Sequence, residues 1–121
     1  MKCVQVVEDD STMRSLLKTL LELEGYQVKT FEGHSARDLL NSLKNESPAI
    51  IIMDVHLAAI DGLEALSALR QDAVFKHLPV IMTSGLDLKA ECLNQGADAF
   101  IMKPFMPDDL ITSIKSLLPT N

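Results

Sequence analysis

Apolar positions along the chain follow two alternating patterns. Five short runs are almost continuously apolar or β-branched, and each is followed by a segment in which apolar residues recur every three or four positions. Short continuous runs are typical of strands that are covered on both faces, whereas the wider spacing is typical of helices with one buried side. The pattern therefore predicts five strands that alternate with five helices.

The five predicted strands share aliphatic and β-branched residues. They cover Cys3 to Val7, Gln27 to Phe31, Ala49 to Met53, Val80 to Thr83 and Ala99 to Met102. The third strand is the central feature, because its apolar residues run directly into the carboxylate of Asp54. In open parallel sheets, ligands bind outside the carboxyl ends of the strands, which is where Asp54 is expected to lie.

Capping residues predict where the first three helices begin and end. Ser11 is the predicted N-cap of the first helix, Asp10 is either part of a solvated acidic turn or helps to cap the same helix, and Gly25 can close it as a left-handed cap. Ser35 starts the second helix, which should end before Ser47-Pro48 because a residue that precedes proline disfavours helix. Asp61-Gly62 opens the third helix.

The last two helices differ in length. The fourth is short, with Leu86, Ala90 and Leu93 predicted on its buried face, and it stops at Gly96. The fifth begins at Pro107, a favourable residue for a first helical turn. Its predicted apolar stripe consists of Leu110, Ile111, Ile114, Leu117 and Leu118.

Regular alternation of strand and helix predicts an α/β fold with a parallel sheet and right-handed crossovers. Five such units in one short chain suit a single doubly wound, flavodoxin-like (βα)5 domain with strand order 2-1-3-4-5, an order taken by analogy.

Composition narrows the functional classes. The chain has 121 residues, of which 47% are hydrophobic and 23% charged, so one ordered domain is expected, with a frayed end at residues 119–121. A net charge of -6 argues against binding of nucleic acid by this domain through the phosphate groups.

No apolar run approaches the roughly 20 residues that span a membrane. Cys3 and Cys92 form no CxxC pair, and reduced thiols suit a cytoplasmic protein without a signal peptide.

Charged and hydroxyl side chains follow four of the predicted strands. Glu8-Asp9, Asp54, Ser84 and Lys103 should therefore meet at one edge of the sheet. Two unit charges about 4 Å apart interact by roughly 4 kcal/mol at a dielectric of about 20, so clustered carboxylates need counter-charge. Lys103 supplies one positive charge, and a divalent cation can supply the remainder. Oxygen ligands without histidine or cysteine select a hard cation, so Mg²⁺ is predicted, with Mn²⁺ as a possible substitute.

These groups suit phosphoryl transfer. A carboxylate can accept a phosphoryl group as an aspartyl phosphate, and Asp54 is the best candidate because it lies centrally among the other groups. Mg²⁺ and Lys103 would neutralise charge on the phosphoryl oxygens, and the Ser84 hydroxyl would donate a hydrogen bond to a third oxygen of that group.

Five motifs in this order resemble the receiver domain of two-component response regulators. They are Val7-Glu8-Asp9, Met53-Asp54, Asp61-Gly62, Thr83-Ser84-Gly85 and Lys103-Pro104-Phe105. One motif alone is weak, but all five at strand–helix spacing are specific, and the resemblance covers essentially the whole chain.

The resemblance implies a site and a reaction. Glu8 and Asp9 would be the acidic metal pair, Asp54 the phosphorylation site, and the main-chain carbonyl of His56 a further Mg²⁺ ligand. The phosphoryl donor would be a sensor histidine kinase or a phosphotransfer protein. The domain would be a signalling module rather than an enzyme, although it would assist its own phosphorylation and dephosphorylation.

The resemblance also implies a conformational switch. Ser84 would be drawn toward the phosphoryl group, and Phe100 would turn inward with it. Lys103-Pro104 matches a cis peptide bond of the family. The output face would comprise the fourth helix, fifth strand and fifth helix, through which a homodimer could form.

Some positions depart from the family pattern. Ala58 stands where proline is usual, which bears on the stiffness of the loop after Asp54. Phe100 replaces the commoner tyrosine, so no hydroxyl is available when the ring is buried. His56 and Leu86 occupy positions that tune hydrolysis of the phosphoryl group in this family.

Three other functions are weighed against the receiver. A flavin-binding carrier on the same fold is disfavoured, because Glu8-Asp9-Asp10 repels phosphate unless a metal intervenes and because the chain, with no Trp and one Tyr, offers little to stack on a flavin ring. An aspartyl-phosphate phosphatase needs a second acid at the position of His56. A degenerate receiver, acting only as a protein-interaction module, is disfavoured by the complete set of five motifs.

Overall fold

Five parallel strands form one sheet in a computed structural model that describes residues 1–118. The sheet order is β2-β1-β3-β4-β5, which confirms the predicted fold and strand order. The strands are β1 (Cys3–Val7), β2 (Gln27–Thr30), β3 (Ile50–Asp54), β4 (Val80–Ser84) and β5 (Ala99–Met102). The expectation of a frayed end at residues 119–121 lies outside the described residues.

Five helices cover the two faces of the sheet. They are α1 (Ser11–Leu23), α2 (Ala36–Glu46), α3 (Gly62–Gln71), α4 (Lys89–Asn94) and α5 (Pro107–Leu117). Within residues 1–118, none of the helices has both the length and the apolarity needed to cross a membrane.

The strands divide their side chains between two cores. In β3, Ile51 and Met53 join a core with α2, α3 and α4, whereas Ile50 and Ile52 join a core with α1 and α5. Alternation of side chains along a strand explains this division, and it requires nearly every position of β3 to be apolar. The continuous apolar run therefore follows from burial on both faces.

Several predicted boundaries move by one residue. Strand β2 ends at Thr30, one residue earlier than predicted, whereas β3 runs from Ile50 to Asp54 and β4 extends to Ser84. Asp54 and Ser84 are thus the last residues of their strands, paired in the ladder, rather than the first residues beyond them. The main chain at both positions is consequently held by the sheet.

The N-cap of α1 is Asp10, so the prediction of Ser11 was wrong. Asp10 has an extended backbone, and its Oδ1 accepts a hydrogen bond of 2.8 Å from the N–H of Met13. Ser11 is already the first helical residue. Both residue types are good caps, and Asp10 takes the role because it has the extended backbone of an N-cap. The Ser35 cap of α2 is confirmed.

The predicted buried face of α4 is also wrong. Leu86 is 60% exposed and Leu93 is 41% exposed, and Ala90 is exposed as well. The helix has six residues and begins at Lys89, so Leu86 lies in the preceding loop. Its one fully buried residue is Cys92, which faces the core shared with α2 and α3.

Arg70 joins three parts of the fold at the amino-terminal edge of the sheet. Its guanidinium donates to the carbonyls of Leu78 at 2.7 Å and Gly96 at 2.8 Å, and to Asp98 Oδ2 at 2.9 Å. Asp98 also accepts the N–H of Val80 at 2.8 Å. The end of α3, the start of β4 and the α4–β5 turn are therefore linked through one side chain.

Gly62 allows α3 to begin directly against the main chain of β3. A Cβ at this position would lie 2.4 Å from the carbonyl oxygen of Asp54 and 2.7 Å from the Cα of Val55. At Gly85, by contrast, an added Cβ would meet nothing within 4 Å. Only glycine at position 62 permits this close approach beside Asp54.

Candidate functional site

The sheet register brings the predicted site residues to one edge. Val7 is paired with Met53, Asp54 with Thr83, and Ser84 with Met102. Glu8, Asp54 and Lys103 therefore lie on or just beyond the carboxyl ends of β1, β3 and β5. This placement follows from strand order, because β3 lies between β1 and β4.

Lys103 links the two buried carboxylates. Its Nζ lies 2.5 Å from Glu8 Oε1 and 3.0 Å from Asp54 Oδ2. Glu8 is 6% exposed and Asp54 is 8% exposed. Burial alone lowers the pKa of the Lys103 ammonium, but hydrogen bonding and attraction from Glu8 and Asp54 outweigh burial and raise that pKa above its usual value. The lysine is therefore a firmly charged counter-ion for both acids.

Asp54 has both carboxylate oxygens engaged. Oδ2 accepts from Lys103, and Oδ1 accepts a hydrogen bond of 3.1 Å from the N–H of His56. The next residue, Val55, donates its N–H to the carbonyl of Thr83 at 2.9 Å. The carboxylate is thus oriented by the sheet and by the first residues of the β3–α3 loop.

Asp9 is oriented differently from Glu8. It is exposed, and its Oδ2 accepts a hydrogen bond from the main-chain N–H of Ala58. Arg14 fixes the main chain behind the acidic pair, because its Nη1 donates to the carbonyls of Glu8 at 3.0 Å and Asp9 at 3.2 Å. Asp9 therefore faces the β3–α3 loop, whereas Glu8 faces Lys103.

The oxygen groups around this edge suit a hard cation, although they do not form a closed cage. Across residues 1–118, no set of three His, Cys, Asp or Glu side chains is arranged to hold a metal ion. Asp9 and Asp54 nevertheless both bond to the loop that carries the His56 carbonyl, through the N–H groups of Ala58 and His56. Two carboxylates and one carbonyl, completed by water, are the kind of donor set that Mg²⁺ accepts. The residues present therefore fit this ion.

Ser84 and Phe100 lie on adjacent strands. The Ser84 side chain is fully buried, and its Oγ accepts a hydrogen bond of 3.0 Å from the N–H of Leu86. Phe100 is paired in register with Met82 and is half-buried against the core that includes α3 and α4. The Lys103–Pro104 peptide bond is cis, as the resemblance implies, and the Lys103 N–H donates to the Ser84 carbonyl at 2.8 Å.

Two contacts at this site were missed by sequence reasoning. Arg14 lies five residues after Asp9, a spacing that allows a side chain from the first turn of α1 to reach back to the strand end. Ala58 was considered only for loop stiffness, although any residue except proline also brings an N–H donor. Alanine in place of the usual proline at position 58 could therefore have indicated an additional N–H donor in this loop.

Comparisons with known proteins agree on one family. The family model described as the response regulator receiver domain matches residues 4–115. The chain is 35% identical to the polar-differentiation response regulator DivK of Brucella ovis, with 97% of this chain and 96% of that protein covered.

Solved structures give the same result. The chemotaxis response regulator CheY4 of Vibrio cholerae aligns with a TM-score of 0.86 and 27% identity, over 98% of this chain and 99% of that one. The response regulator TrrA of Thermotoga maritima, in complex with Mg(2+)-BeF, aligns with a TM-score of 0.85 and 28% identity, over 98% of this chain and 100% of that one.

Proposed function

The chain belongs to the response regulator receiver domain family of two-component signalling, and from this premise we propose that it accepts a phosphoryl group on Asp54 in a Mg²⁺-dependent reaction. The observation that carries the proposal is the Lys103 ammonium, held between the carboxylates of Glu8 and Asp54. Such an arrangement places positive charge where the oxygens of a phosphoryl group would need it.

Asp54 is the proposed nucleophile because of its position among the strands. It ends β3, between the acidic residues that follow β1 and the hydroxyl of Ser84 on β4. One carboxylate oxygen attacks phosphorus, and the new O–P bond forms as the P–N bond to a donor histidine breaks. The bonding electron pair leaves with the imidazole, which takes a proton from water.

Asp9, Asp54 and the main-chain carbonyl of His56 would hold Mg²⁺, with Glu8 as the second acid of the pair. Mn²⁺ offers similar chemistry toward oxygen ligands. When bound, the ion supplies positive charge to the phosphoryl oxygens. The relative TrrA, whose structure contains Mg(2+)-BeF, supports this proposal for a chain of the same family.

Lys103 and Ser84 would also stabilise the phosphoryl group, through the ammonium and the hydroxyl. The ammonium has three N–H groups, so it can bind a phosphoryl oxygen while it keeps a carboxylate contact. The Ser84 Oγ accepts from Leu86, which leaves its own proton able to donate. Both residues are therefore proposed to act on the transferred group directly.

Phosphorylation is proposed to shift a two-state equilibrium through Ser84 and Phe100. Ser84 would move toward the phosphoryl group, and the half-buried Phe100 ring would turn further inward. Fluorine NMR of labelled phenylalanine should therefore show the Phe100 resonance moving when a phosphoryl mimic and Mg²⁺ are added. A Phe100 signal that stays in place at saturation would count against the switch.

The proposed partners follow from the family and from exposed apolar residues. The donor would be a sensor histidine kinase or a phosphotransfer protein. The face formed by α4, β5 and α5 would bind an output partner or a second copy of the chain. Three exposed side chains on or beside this face support that assignment, namely Leu93 at 41%, Met102 at 49% and Met106 at 68%.

The proposal is tested by intact mass after incubation with Mg²⁺ and a small phosphodonor such as acetyl phosphate. Wild type should gain one phosphoryl group, and the gain should be lost when Mg²⁺ is chelated. Asp54→Asn should gain none, whereas Asp61→Asn, a matched change of an exposed acid in the same loop, should behave as wild type. An equal adduct on Asp54→Asn would place the reaction elsewhere.

A further inference from the structure

Asp9 is restrained from two sides in this chain. The Arg14 guanidinium holds its main-chain carbonyl at 3.2 Å, and the Ala58 N–H holds its side-chain Oδ2. Arg14 itself is partly buried, whereas Asp9 and Ala58 are exposed and line an open groove of about 460 Å³. The Asp9 side chain is therefore tied to the β3–α3 loop at a place that solvent and small ions can reach.

The side-chain restraint exists because residue 58 is not proline. A proline at this position would have no N–H, and the Asp9 Oδ2 would then lack its loop partner. Hydrogen bonds from an N–H to an ionised carboxylate are among the stronger ones in proteins, because the acceptor is charged. The contact thus directs one oxygen of Asp9 toward the loop.

We propose that the main-chain N–H of Ala58 is a latch on Asp9 that competes with Mg²⁺ and lowers the affinity of this site for the ion. The inference rests on the proposed function, in which Asp9 is a ligand of Mg²⁺. A cation that binds Asp9 through Oδ2 has to share or displace the Ala58 N–H, so part of its binding free energy is used to break that hydrogen bond. Ala58 is a positioning residue, since it acts through Asp9.

The groove beside Asp9 explains how the latch can open without unfolding the domain. Its walls come from the β2–α2 loop, including Gly33 and His34, and from the loop at Ala58 and Ala59. Because Asp9 is exposed and lines this groove, its carboxylate has room to change direction while Arg14 holds the main-chain carbonyl.

Calorimetric titration with Mg²⁺ at fixed pH and ionic strength tests the latch. Ala58→Pro should bind Mg²⁺ about three- to tenfold more tightly than wild type, as expected for loss of one partly exposed hydrogen bond to a charged group. Ala58→Ser keeps the donor and should stay within about twofold of wild type. Ala59→Pro stiffens the same loop at a residue whose N–H makes no hydrogen bond within residues 1–118. Its affinity for Mg²⁺ should also stay within about twofold of wild type.

The outcomes separate the latch from the underlying site. Equal or weaker Mg²⁺ binding by Ala58→Pro, or an equal gain for Ala59→Pro, would overturn the latch and leave the metal site standing. Failure of every protein to bind Mg²⁺ would overturn both.

A measurement on wild type avoids any effect of proline on folding. In amide NMR spectra, saturating Mg²⁺ should shift the Ala58 proton resonance upfield and speed its exchange with water, as its hydrogen bond to Asp9 is lost. The Leu63 amide, which donates to Asp61 at 2.9 Å in the same connection, is the internal reference and should move less. An Ala58 amide that is unchanged while Mg²⁺ binds would overturn the latch.

Discussion

Replacement of Lys103 with methionine should destabilise the domain in Mg²⁺-free buffer by about 2–4 kcal/mol. The substitution keeps an unbranched side chain of similar length but removes the charge that lies between Glu8 and Asp54. Both carboxylates are almost fully buried, so they would face each other without a counter-ion.

The magnitude follows from distance and burial. At the observed separations of 2.5 and 3.0 Å, the Coulomb attraction between Lys103 and each carboxylate is roughly 5–7 kcal/mol at a dielectric of about 20. The cost of removing these charges from water offsets most of that attraction. Removing one partner of a buried ion pair typically costs about 3–5 kcal/mol. The Lys103 side chain is 20% exposed, so water can partly replace it, which lowers the expected loss to about 2–4 kcal/mol.

Urea unfolding followed by circular dichroism measures this loss. The matched control is Lys115→Met, because Lys115 makes an ion pair of 3.5 Å with Glu24 in which the two side chains are 54% and 38% exposed. Exposed pairs contribute little, so the control should lose at most about 0.5 kcal/mol.

A loss for Lys103→Met that is no larger than the loss for Lys115→Met would contradict this prediction. It would mean that the Lys103 ammonium does not offset the repulsion between Glu8 and Asp54. Adding Glu8→Gln to Lys103→Met should recover part of the lost stability, since one of the two uncompensated charges is then removed.

Three further predictions follow from particular contacts. The folded-state pKa of Lys103 is raised above the unfolded value of about 10.4. The contribution of its charge to stability is therefore complete below that pH and is lost as the pH rises through the folded-state pKa. The free energies of unfolding of wild type and Lys103→Met, measured in urea, should accordingly converge in strong alkali. Gly62→Ala should lower the free energy of unfolding by more than about 2 kcal/mol, because the added Cβ would overlap main-chain atoms. Gly85→Ala, where an added Cβ meets nothing within 4 Å, should change it by less than about 0.5 kcal/mol in the same denaturation assay. Equal losses for the two variants would contradict the clash. Arg70→Met should cost about 2–3 kcal/mol, because two carbonyls lose a donor and the Asp98 carboxylate loses its counter-ion. Arg37→Met, at an exposed site on α2, should cost less than about 0.5 kcal/mol in the same thermal unfolding assay, and a small loss for both variants would contradict the role of the Arg70 contacts.

The fold was largely predictable because its main signal is burial on both sides of a parallel sheet. The apolar run of β3 is required by two cores, and helices of ten or more residues, such as α3, have enough turns to define a buried face. The six-residue α4 does not, because its predicted phase depended on Leu86, which lies before the helix. The spacing of apolar residues therefore does not identify the buried face of a helix as short as α4.

The site was predictable to the level of which strand ends meet, but not to the level of which acid faces which partner. Side chains alternate along a strand, so Glu8 continues the side of Val6, while Asp9 continues the side of Val7. By the same alternation Asp54 shares the side of Ile52, which is consistent with Glu8 and Asp54 meeting at one ammonium. The contact between Asp9 and Ala58 depends on the path of a loop, which no periodicity describes.

The most direct test of the central claim is to locate the modified residue. Protein incubated with Mg²⁺ and a histidine-phosphorylated donor would be treated with borohydride, which reduces an acyl phosphate to a stable alcohol, and then digested and sequenced by tandem mass spectrometry. We expect a single reduced aspartate, Asp54, and none when Mg²⁺ is withheld. Reduction at Asp9 or Asp61 in place of Asp54, or label found only on a histidine, would contradict it.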